Sequence, residues 1–226
     1  MFYGLILLAF VPFFSAAGGD GGCPVSQNIK GRENTEWSIS YAFHMTDANK
    51  GLPRALLVGD SICSGYQEEV RRLTEGKCNI SFWVSSYCVT RPEYLRLLEL
   101  HLADSEYDVI HFNNGLHSTR TETSKWASAL TDVFRIIRKR QPRAKIVWAT
   151  STPLKSVERN IKVKELNEAA LGVVRDVGGI VINDLYSFLD PFDRNEHWSD
   201  MYHHKASLRK KEAKQVATVI LPLIAK

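Results

Sequence analysis

Several things are scarce in this sequence, and each scarcity removes a class of function. Cysteine is limited to Cys23, Cys63, Cys78 and Cys88, with no Cys-x-x-Cys pair, which argues against a thiolate zinc site. Charge of one sign is also scarce: 29 basic against 25 acidic residues leave a net charge of +4. No basic run is interleaved with aromatics, so nothing points to a nucleic-acid partner. Internal repeats and low-complexity tracts are missing, which argues against a solenoid or a disordered scaffold.

What is present starts with one apolar run. Residues 1–14 read MFYGLILLAFVPFF, followed by Ser15, Ala16, Ala17, Gly18 and Gly19. The run is too short to cross a bilayer comfortably, but it fits the apolar region of a secretory signal with small residues before the cut. The expected organisation is a signal peptide over 1–17, an N-terminal extension over 18–53 packing on the domain, and one catalytic-size domain over 54–226. The expected location is secreted or extracytoplasmic, periplasmic or extracellular, with no membrane partner beyond export. An even cysteine count in an exported chain permits disulfides. Cys78 and Cys88 flank a predicted strand and could pair; the other two pairings are equally open.

From Arg54 onward, short apolar runs alternate with amphipathic stretches. The runs cover 55–59, 80–84, 109–113, 145–150 and 180–184; each is apolar on successive residues, the habit of strands buried on both faces of a parallel sheet. Helical spacing is read over 66–74, 92–102, 124–140, 163–176 and 206–223, with Pro92 suited to a first turn and Gly178-Gly179 to a stop. Five strand–helix repeats predict a three-layer α/β/α sandwich with a central five-stranded parallel sheet. In such sheets ligands bind beyond the carboxyl ends of the strands, so polar residues there come first as candidates.

The first predicted strand ends in Gly59-Asp60-Ser61. A serine in that turn can project its hydroxyl into the crevice, with its own N–H near a helix N-terminus that favours a developing oxyanion; an ordinary helix cap is the plainer account. Before the last helix stands Asp200-Met201-Tyr202-His203. Three residues apart in a helical turn, the carboxylate can fix the imidazole tautomer and leave Nε2 to take a serine proton. His204 and then His197 are competing bases. The third predicted strand ends in Asn113-Asn114-Gly115-Leu116-His117, where amides and a histidine could hold a substrate carbonyl, although Asn-Gly is also a common turn. Trp83, Trp126 and Trp148 read as core, and Lys205, Arg209, Lys210, Lys211 and Lys214 as a solvated helix face. Trp198, in a polar loop, reads as a surface for stacking on a sugar.

Together these stretches resemble the SGNH hydrolases, or GDSL-type esterases, over roughly 54–224. The likeness rests on the block 57–61, the block 109–117 and Asp200-x-x-His203. It implies a flavodoxin-like fold, with Ser61 as nucleophile, His203 as general base and Asp200 as its orienting carboxylate. Asn113, Asn114 and His117 are the implied oxyanion or substrate-binding residues. Two departures stand out. The stretch after the second predicted strand, Ser85-Ser86-Tyr87-Cys88, lacks the family's usual glycine, and His117 occupies the place of the usual asparagine. An α/β-hydrolase elbow would need a glycine at Cys63. The expected reaction is hydrolysis of small acyl esters, chiefly O-acetyl esters on carbohydrate, through an acyl-enzyme that needs no metal or organic cofactor. A carbohydrate O-acyltransferase with the same serine, or a non-catalytic carbohydrate-binding relative, are the alternatives. The expected partner is a small ester or acetylated carbohydrate; nothing indicates an oligomeric state.

Overall fold

The computed structural model describes residues 36–224. The expected leader, Cys23 and the extension up to residue 35 lie outside the described residues.

Six strands form one sheet: β1 (Ser38–Tyr41), β2 (Arg54–Gly59), β3 (Asn79–Ser85), β4 (Val109–Phe112), β5 (Lys145–Ala149) and β6 (Ile180–Asn183). Their order is β1-β3-β2-β4-β5-β6. The five expected strands are all present and all parallel to one another. The expectation of a five-stranded sheet is corrected by β1, which lies inside the stretch read as an extension and pairs antiparallel with β3, Ser38 opposite Ser85 and Tyr41 opposite Phe82. β1 is four residues long and largely exposed, so it lacks the continuous apolar run that marks a doubly covered strand.

The helices are α1 (Ser61–Leu73), α2 (Pro92–Ala103), α3 (Thr123–Arg140), α4 (Asn160–Val177), α5 (Leu185–Leu189), α6 (Arg194–His197) and α7 (Ala206–Ile224), with a 3-10 turn at Leu116–Ser118. The strand pleat sorts them into two layers. Leu56, Val58, Trp83, Ile110, Phe112 and Trp148 face one way and pack with Tyr94 and Leu98 of α2, Leu130 and Phe134 of α3, and Leu166 of α4. Their neighbours Ala55, Leu57, Phe82, Val84, Val147 and Ala149 face the other way, onto Tyr66 and Val70 of α1 and Val216 and Ile220 of α7. This alternation is the period-2 geometry of a strand. Trp83, Trp126 and Trp148 are core, as read from sequence. β6 departs from the doubly buried pattern: it is an edge, with Val181 and Ile182 exposed.

The cysteine pairing fails for a simple reason. Cys78 and Cys88 lie beyond opposite ends of β3, a seven-residue strand, and at about 3.3 Å per residue their Cα atoms are far beyond the reach of a disulfide. Cys63, Cys78 and Cys88 are buried free thiols. Burial pushes the Cys63 and Cys78 thiols up to about 12, which keeps them protonated and inert.

Topology then fixes where a site can form. From β2 the chain moves outward to β3, then returns to place β4 on the other side of β2. The carboxyl ends of β2 and β4 therefore flank the crevice where the strand order reverses.

Candidate active site

β2 runs directly into α1 with only Asp60 between them. The turn is tight enough that a Cβ on Gly59 would come within 2.5 Å of Cys63 Cβ, so only glycine fits. Asp60 caps α1 by accepting the Ile62 N–H at 2.9 Å. Ser61 is thus the first residue of α1, where its N–H has no acceptor four residues back.

Asp200 and His203 sit in an irregular loop, not in the helical turn expected. Asp200 Oδ1 accepts the N–H groups of Tyr202 and His203 at 2.8 and 2.9 Å, a side-chain-closed turn of the kind aspartate favours. Its other oxygen meets His203 Nδ1 at 2.8 Å, and His203 Nε2 meets Ser61 Oγ at 2.8 Å. A hydroxyl, an imidazole and a carboxylate therefore stand in hydrogen-bonding order across 142 residues of chain. Partial burial pushes the Asp200 carboxyl up, but the hydrogen bonds from the His203 and Tyr202 amides and the His203 ring outweigh it and hold the group at about 2. Asp200 is accordingly an anion at any pH where the ring is neutral.

The loop carrying this pair is pinned at both ends. Trp198 and His204 form an isolated antiparallel bridge, and Ser199 donates its N–H to His203 O at 2.9 Å. Trp198 is 1% exposed, donates Nε1–H to Pro153 O at 3.0 Å and lies edge-on to the His204 ring. The sugar-stacking expectation for Trp198 is therefore wrong: the loop folds back and buries the indole, whose N–H finds a carbonyl. His204 is turned away from Ser61; its Nδ1 meets Glu212 Oε2 at 3.0 Å with both side chains fully buried. His197 lies on α6, edge-on to Phe192, with Nε2 3.7 Å from Glu196. Burial pushes the Glu212 carboxyl up, against the pull of the His204 hydrogen bond and charge.

The residues after β4 divide their tasks. Asn113 continues the ladder through its N–H to Val58 O and gives its amide hydrogens to Ala149 O at 2.7 Å and Ser151 Oγ at 3.4 Å. It ties the end of β4 to the end of β5. Asn114 donates to Tyr87 O at 2.8 Å, and its Oδ1 accepts from Ser118 Oγ at 2.9 Å and the Val89 N–H at 3.4 Å. It holds the loop after β3, the place of the missing family glycine. Gly115 allows the close approach of Ser151, whose Oγ would lie 1.8 Å from an added Cβ. The His117 ring meets Trp37 edge-on at 6.3 Å.

A cleft of about 300 Å³ opens beside Ser61 and His203, which line it together with the first two turns of α7. Sequence reasoning missed that α7 contributes to it. The signal was there for Glu212, which falls in register with Leu208, Val216 and Ile220 on the apolar stripe of α7; an acid at such a position demands a partner.

No family model and no curated protein matches the chain. The fold itself is shared with solved structures. A carbohydrate esterase family 3 protein from Talaromyces cellulolyticus aligns with a TM-score of 0.59 at 15% identity, over 76% of this chain and 98% of that one. A member of the lipolytic protein G-D-S-L family from Veillonella parvula aligns at 0.62 and 15%, over 74% and 97%. A lipase/acylhydrolase from Enterococcus faecalis aligns at 0.60 and 16%, over 77% and 98%. The chain thus has the α/β/α fold of the SGNH hydrolases, with the six-stranded, mainly parallel sheet described above.

Proposed function

We propose that the protein is an exported serine esterase that hydrolyses small acyl esters, chiefly O-acetyl esters of the kind borne by carbohydrates. The observation that carries this reading is the pair of 2.8 Å contacts linking Ser61 Oγ to His203 and His203 to Asp200. With the proton on Nδ1 held by Asp200, Nε2 is free to accept the Ser61 proton.

Ser61 Oγ attacks the acyl carbon while Nε2 takes its proton. The carbonyl oxygen becomes an oxyanion that the Ser61 N–H receives at the start of α1, where the helix dipole favours negative charge. The second donor comes from the residues that follow β4, Asn113, Asn114 or His117. Collapse breaks the acyl–oxygen bond, and the leaving alkoxide takes the proton from Nε2. Water, deprotonated by the same nitrogen, then releases the acid and restores Ser61.

Ser61→Ala in the purified protein should lower turnover of an aryl acetate by on the order of 10³-fold or more, and should abolish labelling by a fluorophosphonate. Unchanged turnover in the variant would overturn the nucleophile assignment. A wild-type protein that neither turns over the ester nor takes the label would be a binding module instead.

A further inference from the structure

The cleft beside the reacting pair has a chemistry of its own. In the proposed reaction His203 Nε2 gives its proton to the leaving oxygen, so the alcohol half of the ester must lie on the imidazole side of Ser61. The cleft is on that side, since His203 and Ser61 both line it. Its other walls include Ile62 and Gly65 of α1, Lys205 just before α7, and Ala206, Arg209 and Glu212 of α7.

Two cations therefore face the place of the leaving alcohol. No carboxylate among the described residues lies within ion-pair distance of either, unlike Arg72, Arg91, Arg135, Arg140, Arg143 and Arg194. The one acid in the described lining, Glu212, is fully buried and already engaged with His204. Asp200 is bound to the far nitrogen of the imidazole.

Gly65 leaves room for the Arg209 stem against α1. It lies inside α1, where glycine is less favourable than alanine. A Cβ there would meet Arg209 Cδ at 3.0 Å, so the bare backbone of α1 is the track along which the arginine stem runs.

We infer that Arg209, assisted by Lys205, makes this cleft a subsite for an oxyanion carried by the alcohol half of the ester, as in an acidic sugar. The inference rests on the esterase reading for the direction of the leaving group. Arg209 supplies a planar donor fork suited to a carboxylate or sulfate, and Lys205 adds a second charge at the rim.

The test compares three acetate esters of phenols: meta-acetoxybenzoate, meta-acetoxybenzenesulfonate and the neutral meta-acetoxybenzamide. The ratio of kcat/KM for each anion to that for the amide is measured in wild type and variants, so intrinsic ester reactivity cancels. Arg209→Gln should lower the ratio about tenfold, the effect of one charged hydrogen-bonded contact. Gly65→Ala, which displaces the arginine stem, and Lys205→Gln should each lower it about threefold, and added salt should narrow the wild-type preference. Lys214→Gln, on the outer face of α7, should leave it unchanged. A larger fall for carboxylate than for sulfonate, or the reverse, identifies which oxyanion the site takes. An equal loss for all three esters in Arg209→Gln would mean a purely structural arginine and would overturn the inference.

A binding measurement separates this result from the esterase reading. By calorimetry, meta-hydroxybenzoate should bind Ser61→Ala more tightly than meta-hydroxybenzamide, and Arg209→Gln in that background should remove the difference. Equal or absent binding of the anion overturns the subsite even if the esters are hydrolysed. Anion-selective binding without any hydrolysis sustains the subsite and overturns the esterase.

Discussion

Two imidazole–carboxylate pairs stand side by side in this chain and have opposite fates. His203 and Asp200 keep side-chain exposures of 44% and 55%, while His204 and Glu212 have none. The two histidines are consecutive, and an extended backbone sends consecutive side chains to opposite faces. One ring reaches up to Ser61; the next goes down into the interface of α1 and α7. The same chemical pair thus stands open to solvent beside a serine in one case and is a buried tie in the other, and a buried pair is costly to break.

The largest effect should come from breaking the upper pair. His203→Ala should lower ester turnover by on the order of 10³- to 10⁴-fold with an unchanged unfolding midpoint. Breaking the lower pair should do the reverse: Glu212→Ala strands a buried imidazole and should cost about 3–5 kcal/mol of stability, read by denaturant unfolding, while the folded fraction still takes the fluorophosphonate label. If His204→Ala lost activity per folded molecule as His203→Ala does, the assignment of roles would be reversed.

A third histidine sharpens the contrast by pH. His111 is buried in β4 against Asn183, at 3.0 Å, and burial lowers it from 6.5 to about 4. The unfolded chain binds this proton more readily than the folded one. The stability contributed by the neutral ring is therefore full above about pH 6.5 and lost as pH falls towards 4, by up to ~3 kcal/mol. His111→Gln should flatten this part of the pH–stability curve. Asp200 acts in a lower window: its depressed carboxyl contributes above about pH 3.9 and loses that contribution as pH falls through about 2. The smallest effect belongs to Trp198→Phe, which removes one buried hydrogen bond to Pro153 O and should cost about 1 kcal/mol or somewhat more.

The parts of this molecule that could be read from sequence are those whose environment is uniform along several residues. β2 to β5 are covered on both sides and betray themselves as apolar runs, and α3 and α7 keep a continuous stripe toward the sheet. β1 escaped because it is short and exposed, with nothing in its composition but Ser-Ile-Ser-Tyr. Trp198 misled for a different reason: its neighbours in sequence are polar, while its neighbours in space, Pro153 and His204, come from elsewhere or from a backbone reversal. Of the candidate site, Ser61, His203 and Asp200 were legible as residue types at suggestive places. The engagement of Asn113 with Ala149 O was not, since it depends on where the end of β5 falls beside β4. Nor was the place of Arg209 in the cleft lining, beside a glycine of another helix.

Gly59 and Asp60 place the serine on α1, and His203 precedes α7 by only two residues; both helices cover the same face of the sheet. The separation of the two reacting atoms is therefore governed by one helix–helix seam. The opposite layer, α2 to α4, packs on the other face of the sheet and could be lengthened or redesigned while leaving that seam intact. Redesign of this scaffold should start from that side.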